Sequence, residues 1–268
     1  IAGHAGVFDV VHMNPGERAE KTQVAYSSGP VSIILMPAPH RLISTTPWMI
    51  LVLALAIGHS LLAVLAMRDK STTSDEIAHI TGGYTYDHWH DYRLHPENGN
   101  LPQRWQALPT VLAGARYPDM HGEYWRTSHV WMLGYEFFYH LGNDLERILF
   151  TARAMNAFFG FATVLIVAAW ARCLFGFAGV WPAVLLCALS PTMLAHSALA
   201  TSDMAMTFFL LAAASSWWWH LHDGRRRIWL LSAVTFGLAC VAKYTAVLLL
   251  PIFALMILAR AFAARPLM

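Results

Sequence analysis

Apolar and polar residues alternate along this chain in long blocks. A helix rises about 1.5 Å per residue, so about 20 apolar residues cross a hydrocarbon core of about 30 Å. By that measure residues 48–67, 148–171, 174–190 and 204–219 predict membrane spans, and Pro191 ends the third. Arg153 falls near the start of the second, where the expectation is that it snorkels to the interface. Residues 228–261 are too long for one helix and are interrupted around Lys243 and Pro251, so they predict two short ones. Residues 68–147 are polar, aromatic and too charged to cross, and predict a long loop.

Composition supports the same picture. The 268 residues are 57% hydrophobic and 13% charged, and the mean hydropathy is +0.44. A soluble domain carries about 25% charged residues. Half of that cannot cover a soluble surface, so the expected class is an all-α polytopic membrane protein. A net charge of +2 with scattered basic residues gives no reason to expect a nucleic-acid partner. Cys173, Cys187 and Cys240 sit in apolar runs and read as small buried hydrophobes. Residues 1–35 show no core pattern, whether as upstream read-through or as a tail. Met36 opens a short basic leader that includes Arg41. The chain stops just after an apolar segment, as the front part of a longer protein would.

Short-loop charge orients the spans. Arg172, Arg225, Arg226, Arg227, Arg260 and Arg265 fall on one side, and Arg41 precedes the first span. The stretch 191–202 has no Lys or Arg. The expected topology has a cytoplasmic N-terminus, with residues 68–147 and 191–203 outside.

Candidate chemistry gathers on that outer side. Residues 71–74, Ser-Thr-Thr-Ser, offer helix N-caps and place Asp75 and Glu76 in a first turn. Carboxylates are favourable there through the helix dipole alone. The sharper reading is one catalytic carboxylate, because neighbouring helical residues point about 100° apart and cannot both reach one atom. His79, His88, His90 and His95 crowd the same loop, and Glu76 with His79 makes a Glu-x-x-His pair suited to a metal. That permits a divalent ion without specifying one; hydrogen-bonded or solvated histidines are the simpler reading. Asp203 opens the fourth span, where a helix-dipole role would suffice. Lys243 is a cation between apolar runs, and an ionisable group there is a functional hypothesis. The loop carboxylate, Asp203 and Lys243 would then meet at one membrane face.

Four segments bear a family resemblance: the Asp75–Glu76 pair, residues 95–102 (His-Pro-Glu-Asn-Gly-Asn-Leu-Pro), residues 190–203 (Ser-Pro-Thr-Met-Leu-Ala-His-Ser, then Ala-Leu-Ala-Thr-Ser-Asp) and residues 237–244 (Gly-Leu-Ala-Cys-Val-Ala-Lys-Tyr). Together they resemble the lipid-carrier-dependent GT-C glycosyltransferases of the protein O-mannosyltransferase and aminoarabinose-transferase type. The likeness runs over about residues 48–261. It implies that residues 36–268 are the N-terminal part of a GT-C transmembrane catalytic domain, with about six spans and a long helical first outer loop. The family often has Pro-Pro-Leu where this chain has Gly99, Asn100 and Leu101.

The resemblance further implies a polyprenyl-phosphate-linked sugar as donor and a protein or lipid hydroxyl or phosphate as acceptor. It places the protein among membrane lipids, in the bacterial inner (cell) membrane. Asp75 would activate the acceptor and Glu76 support the loop. Asp203 would orient the acceptor or a basic partner. Lys243, Arg93 or Arg104 would meet the lipid phosphate, and His95 and Glu97 would shape the loop or bind a cation. Two other classes compete: a transporter or membrane scaffold, and a metal-dependent phosphatase acting on the same lipid.

Single-cysteine labelling in intact cells tests the topology. An impermeant reagent is expected to label a cysteine at Gly122 and not one at Gly224; the opposite pattern reverses the orientation.

Overall fold

The computed structural model describes residues 47–262. The expectations for residues 1–35, for the leader with Met36 and Arg41, and for Arg265 lie outside the described residues. The chain forms α1 (Pro47–Ala66), α2 (Ser74–Trp89), α3 (Asn100–Leu112), α4 (Glu123–Arg126), α5 (Val130–Tyr139), α6 (Leu145–Ala188), α7 (Pro191–Ala198), α8 (Asp203–Asp223), α9 (Arg226–Ala242), a 3-10 turn (Tyr244–Leu248) and α10 (Leu249–Ala261). No strand occurs among the described residues. α1, α6 and the last helix with its 3-10 lead-in are each long and apolar enough to cross a membrane.

α1 shows how these helices bury themselves. Val52, Ala56, His59 and Ala63 are buried, while Ile50, Leu53, Ile57 and Leu61 are exposed. The 4-3-4 spacing is one helix face. Small side chains face the protein and large ones face outward, as in membrane bundles, where close backbone approach and dispersion drive association.

α6 is two antiparallel arms. Ser60 Oγ donates to the Ala157 carbonyl at 3.0 Å, and the neighbouring His59 Nδ1 meets the Ala188 carbonyl at 2.7 Å. In a straight helix those alanines would lie roughly 46 Å apart; here both lie against the same point on α1. The reversal is at Gly176, with φ 66° and ψ −160°, a conformation open to glycine and costly to other residues. The arms match the predicted second and third spans, and Trp48 packs edge-on to Phe177 beside the turn.

α8 and α9 form an antiparallel hairpin, with Gly224 in the left-handed conformation at the turn. Ser216 bonds Thr235 at 3.0 Å midway, and Asp203 meets Lys243 at the far end. Lys243 is extended (φ −165°, ψ 146°) and separates α9 from the 3-10 turn, so the predicted break there is present. Pro251 makes no break. It lies in the first turn of α10, where its missing N–H has no intrahelical partner to lose.

Arg153 does not snorkel. It is 2% exposed and bound to Glu76, which is 0% exposed. Its Nε donates to Glu76 Oε1 at 2.8 Å and its Nη2 to Oε2 at 2.9 Å. The remaining guanidinium hydrogens go to the carbonyls of Met67, Lys70 and Ser71 at 2.6, 3.0 and 2.9 Å. Glu76 also accepts from the Ala200 N–H at 3.2 Å. One residue of α6 thus ties the end of α1, the start of α2 and the α7–α8 connection together.

Removing one partner of a buried ion pair costs about 3–5 kcal/mol, because the other charge stays buried. Arg153→Met is expected to destabilise by that order, and Arg153→Met with Glu76→Gln by clearly less. Thermal unfolding of the two purified variants against wild type checks this.

Candidate active site

The site is assembled at the end of the bundle where Arg153, Asp203 and Lys243 lie. Thr73 caps α2: its hydroxyl accepts from the Glu76 N–H at 3.3 Å, and Glu76 Oε2 accepts from the Thr73 N–H at 3.0 Å. The expected cap is therefore present. Asp75 and Glu76 diverge as helix geometry requires: Glu76 is buried on Arg153 and Asp75 is exposed.

One turn beyond Asp75, His79 is buried against His95, with ring centroids 5.0 Å apart. His95 accepts from Asn98 Nδ2 at 2.9 Å, and its Nδ1 lies 3.1 Å from a Glu97 carboxylate oxygen. Gln103 holds the loop by donating to the carbonyls of His95, Asn98 and Gly99 at 3.1, 3.0 and 3.3 Å. Ser202, beside Asp203, donates to Asn98 Oδ1 at 3.1 Å. Gly99 lies directly on the carbonyls of Val241 and Ala242, so a Cβ there would overlap backbone. The departure from Pro-Pro-Leu therefore lets the loop seat on the end of α9, next to Lys243.

Lys243 Nζ donates to Asp203 Oδ1 at 2.6 Å, and His196 Nδ1 lies 3.9 Å from Asp203 Oδ2. Lys243 is 21% exposed and Asp203 44%, so the pair is open on one side. Buried amides set the connection that carries Asp203. Asn156 Nδ2 donates to the carbonyls of His196, Ser197 and Leu199 at 3.0, 3.3 and 2.6 Å. Gln106 Nε2 donates to Asn156 Oδ1 at 2.9 Å and to the Thr201 carbonyl at 2.8 Å.

These contacts fix the local electrostatics. Burial, then the neighbouring His95, pushes His79 down to about 3, against the opposing pull of Gln106 and Asp203. Burial also lowers His95, opposed by Glu97 and Asp75. Asp75, His95, His79, Asp203 and Lys243 thus form one chain of interacting groups.

Not every proposed residue joins it. Arg93 forks onto Asp91 (2.9 and 3.0 Å) and lies over the Trp125 ring, and Arg104 is bound to Asp87 at 2.6 Å. The Glu76–His79 metal pair does not form, because both Glu76 oxygens are taken by Arg153 and by backbone N–H groups. Among the described residues no three His, Cys, Asp or Glu side chains are grouped to hold a metal ion.

Sequence reasoning missed Asn156, Gln103, Gln106, His196 and the inward role of Arg153. Arg153, Asn156, Gly160 and Thr163 fall at spacings of three and four in an apolar run. That pattern marks a polar stripe facing the protein.

The family model of dolichyl-phosphate-mannose-protein mannosyltransferases matches residues 131–267, just over half of the chain. The chain belongs to this family. No curated protein and no solved structure matches it. As a member, it is a membrane glycosyltransferase of the GT-C, mannosyltransferase type. Membership leaves the transporter, scaffold and phosphatase readings without support. The matched segment contains Asp203 and Lys243 together with the motifs 190–197 and 237–244, while Asp75, Glu76, Arg93, His95, Glu97 and Arg104 precede it.

The histidine pair predicts a pH dependence. His79 titrates below the roughly 6.5 of a free imidazole, so between those values the unfolded chain binds more protons than the folded one. Its contribution is full above about pH 6.5 and is lost as pH falls toward about 3; His95 acts with the same sign. The unfolding temperature in detergent is expected to drop on acidification from about pH 7 to about pH 5, and His79→Gln to flatten that slope. An equal slope in both proteins contradicts the assignment.

Proposed function

We propose that this mannosyltransferase-family chain moves a sugar from a polyprenyl-phosphate carrier to an acceptor hydroxyl or phosphate, on a protein or lipid, at the outer face of the membrane. The observation that supports it most is the half-open Asp203–Lys243 pair at the end of an apolar bundle, linked through His79 and His95 to the exposed Asp75.

Asp75 acts as general base. A hydroxyl is a poor nucleophile, and a carboxylate within hydrogen-bond reach takes its proton as attack on the anomeric carbon proceeds. The new C–O bond forms as the bond to the lipid phosphate breaks, and direct displacement inverts the anomeric centre. The phosphate leaves with its negative charge, which Lys243 meets by a charge-assisted hydrogen bond. Asp203 holds the ammonium in place beforehand, so it positions Lys243 for the donor. Arg93 and Arg104 are the other cations suited to the phosphate, and each must first exchange its aspartate. Glu76 acts through Arg153, fixing the helix that carries Asp75. His95 and Glu97 shape the loop facing the acceptor. The Arg distribution supports outer-face action with the N-terminus cytoplasmic, in a membrane that the family resemblance takes to be the bacterial inner one.

Transfer of labelled sugar from polyprenyl-phosphate mannose in proteoliposomes tests this reading. Lys243→Ala is expected to raise KM for the donor at least tenfold, and Lys243→Arg to recover part of the loss. An unchanged donor KM in Lys243→Ala removes Lys243 from phosphate binding, and no transfer by wild type contradicts the donor class.

A further inference from the structure

A second cleft opens at the far end of α2. Its volume is about 480 Å³, inside the roughly 300–1,000 Å³ usual for small-molecule sites. His88 on its rim lies thirteen residues beyond Asp75, about 20 Å along the helix. The cleft is thus separate from Asp75.

Its wall is aromatic, with Trp89 exposed and Tyr84 buried behind it. Tyr84 and Tyr117 stack with centroids 5.1 Å apart and planes 15° from parallel, and Trp89 meets Tyr117 edge-on at 5.1 Å. The Tyr84 hydroxyl is anchored on the Ala115 carbonyl at 2.7 Å. The rim is polar, and His88 packs there, stacked on Tyr84 at 5.4 Å and edge-on to Trp89 at 4.5 Å. Asp119 Oδ1 accepts from the His121 N–H at 2.9 Å. Among the described residues, Asp119 Oδ2 and the imidazole nitrogens of His88 and His121 have no hydrogen-bond partner in the protein.

This chemistry selects its ligand. No Lys or Arg lines the cleft, and a carboxylate stands at its edge, so a phosphate is repelled. A purely apolar chain would desolvate three polar rim groups without pairing them. A quaternary ammonium would suit Asp119 and the rings, but it could neither donate to nor accept from the two histidines. A neutral sugar ring offers C–H faces to the aromatic wall and hydroxyls that both donate to Asp119 and accept from a histidine N–H. We propose that this cleft is a neutral-sugar binding site remote from the reacting centre. Its use, holding a glycan portion of the acceptor, rests on the transfer reading.

The test is saturation-transfer NMR of the purified full chain in nanodiscs, without donor, using mannobiose, cellobiose and lactose in turn. At least one disaccharide is expected to give a signal that falls at least fivefold in Trp89→Ala and in Asp119→Asn. It should persist in Tyr135→Ala, an exposed aromatic on α5 outside the cleft. Trp89 is 37% exposed and Asp119→Asn keeps its shape, so neither change removes the core. No signal from any disaccharide, or a signal unchanged in both cleft variants, overturns the proposal. Tetramethylammonium that quenches wild-type tryptophan fluorescence through Trp89, where the sugars do not bind, overturns the ligand class. The assay needs no donor, so absent transfer with intact sugar binding counts against the transferase mechanism alone.

Discussion

The buried pair between Arg153 and Glu76 is the constraint on which the site depends. A guanidinium has five N–H donors in a fixed plane, and here all five find acceptors in α2 and in the segment that leaves α1. Such a pair is a poor source of net stability, since desolvation offsets most of its attraction. Its effect is on geometry. With the charges buried, any arrangement that leaves one unpaired is strongly disfavoured, so the start of α2 has one place to sit. Because Glu76 points inward at Arg153, Asp75 points about 100° away, toward solvent. Glu76 also accepts from the Ala200 N–H, so the segment leading to Asp203 is tied to the same anchor.

The second constraint is the polar stripe of α6. Asn156 satisfies carbonyls at the end of α7, and Gln106 links it to Thr201. In an apolar environment the His196 and Ser197 carbonyls would otherwise lack this partner, at a cost of several kcal/mol each (about 2–7 by transfer measures). Polar residues on apolar helices thereby fix the loop that leads to Asp203, while the apolar faces only determine which helices touch. Lys243 follows the same logic. It ends α9 in an extended conformation, and its ammonium meets Asp203 at the start of α8. The hairpin closes on a charge pair at the end where the α2–α5 segment sits.

Much of this was legible in the residues. Apolar block lengths located α1, α6 and the last helix, the ones long and apolar enough to cross a membrane by themselves among the described residues, and the Ser-Thr-Thr-Ser run gave the cap on α2. Lys243 announced itself as a cation between apolar runs. The break at Pro251 was misplaced because a proline in a first turn costs a helix little. Arg153 was misread because position near a span end suggests snorkelling, and only the distant Glu76 shows that it turns inward. The roles of Gln103, Gln106 and Asn156 depend on contacts 4 to 95 positions away in sequence. Their amides carry no local signal beyond the three- and four-residue spacing on α6. Gly99 read as a departure from the family pattern, and becomes intelligible once the end of α9 is seen against it.

The central claim is that the anchored α2 presents Asp75, and not Glu76, to the acceptor. The most direct measurement is kcat for sugar transfer by Asp75→Asn and Glu76→Gln, each normalised to the folded fraction in proteoliposomes. Asp75→Asn is expected to lower kcat by about 10²–10⁴-fold, the usual worth of a general base, with its unfolding temperature near that of wild type. Glu76→Gln is expected to lose stability while keeping most of its kcat per folded molecule. Near-normal kcat in Asp75→Asn together with collapse in folded Glu76→Gln would contradict the account.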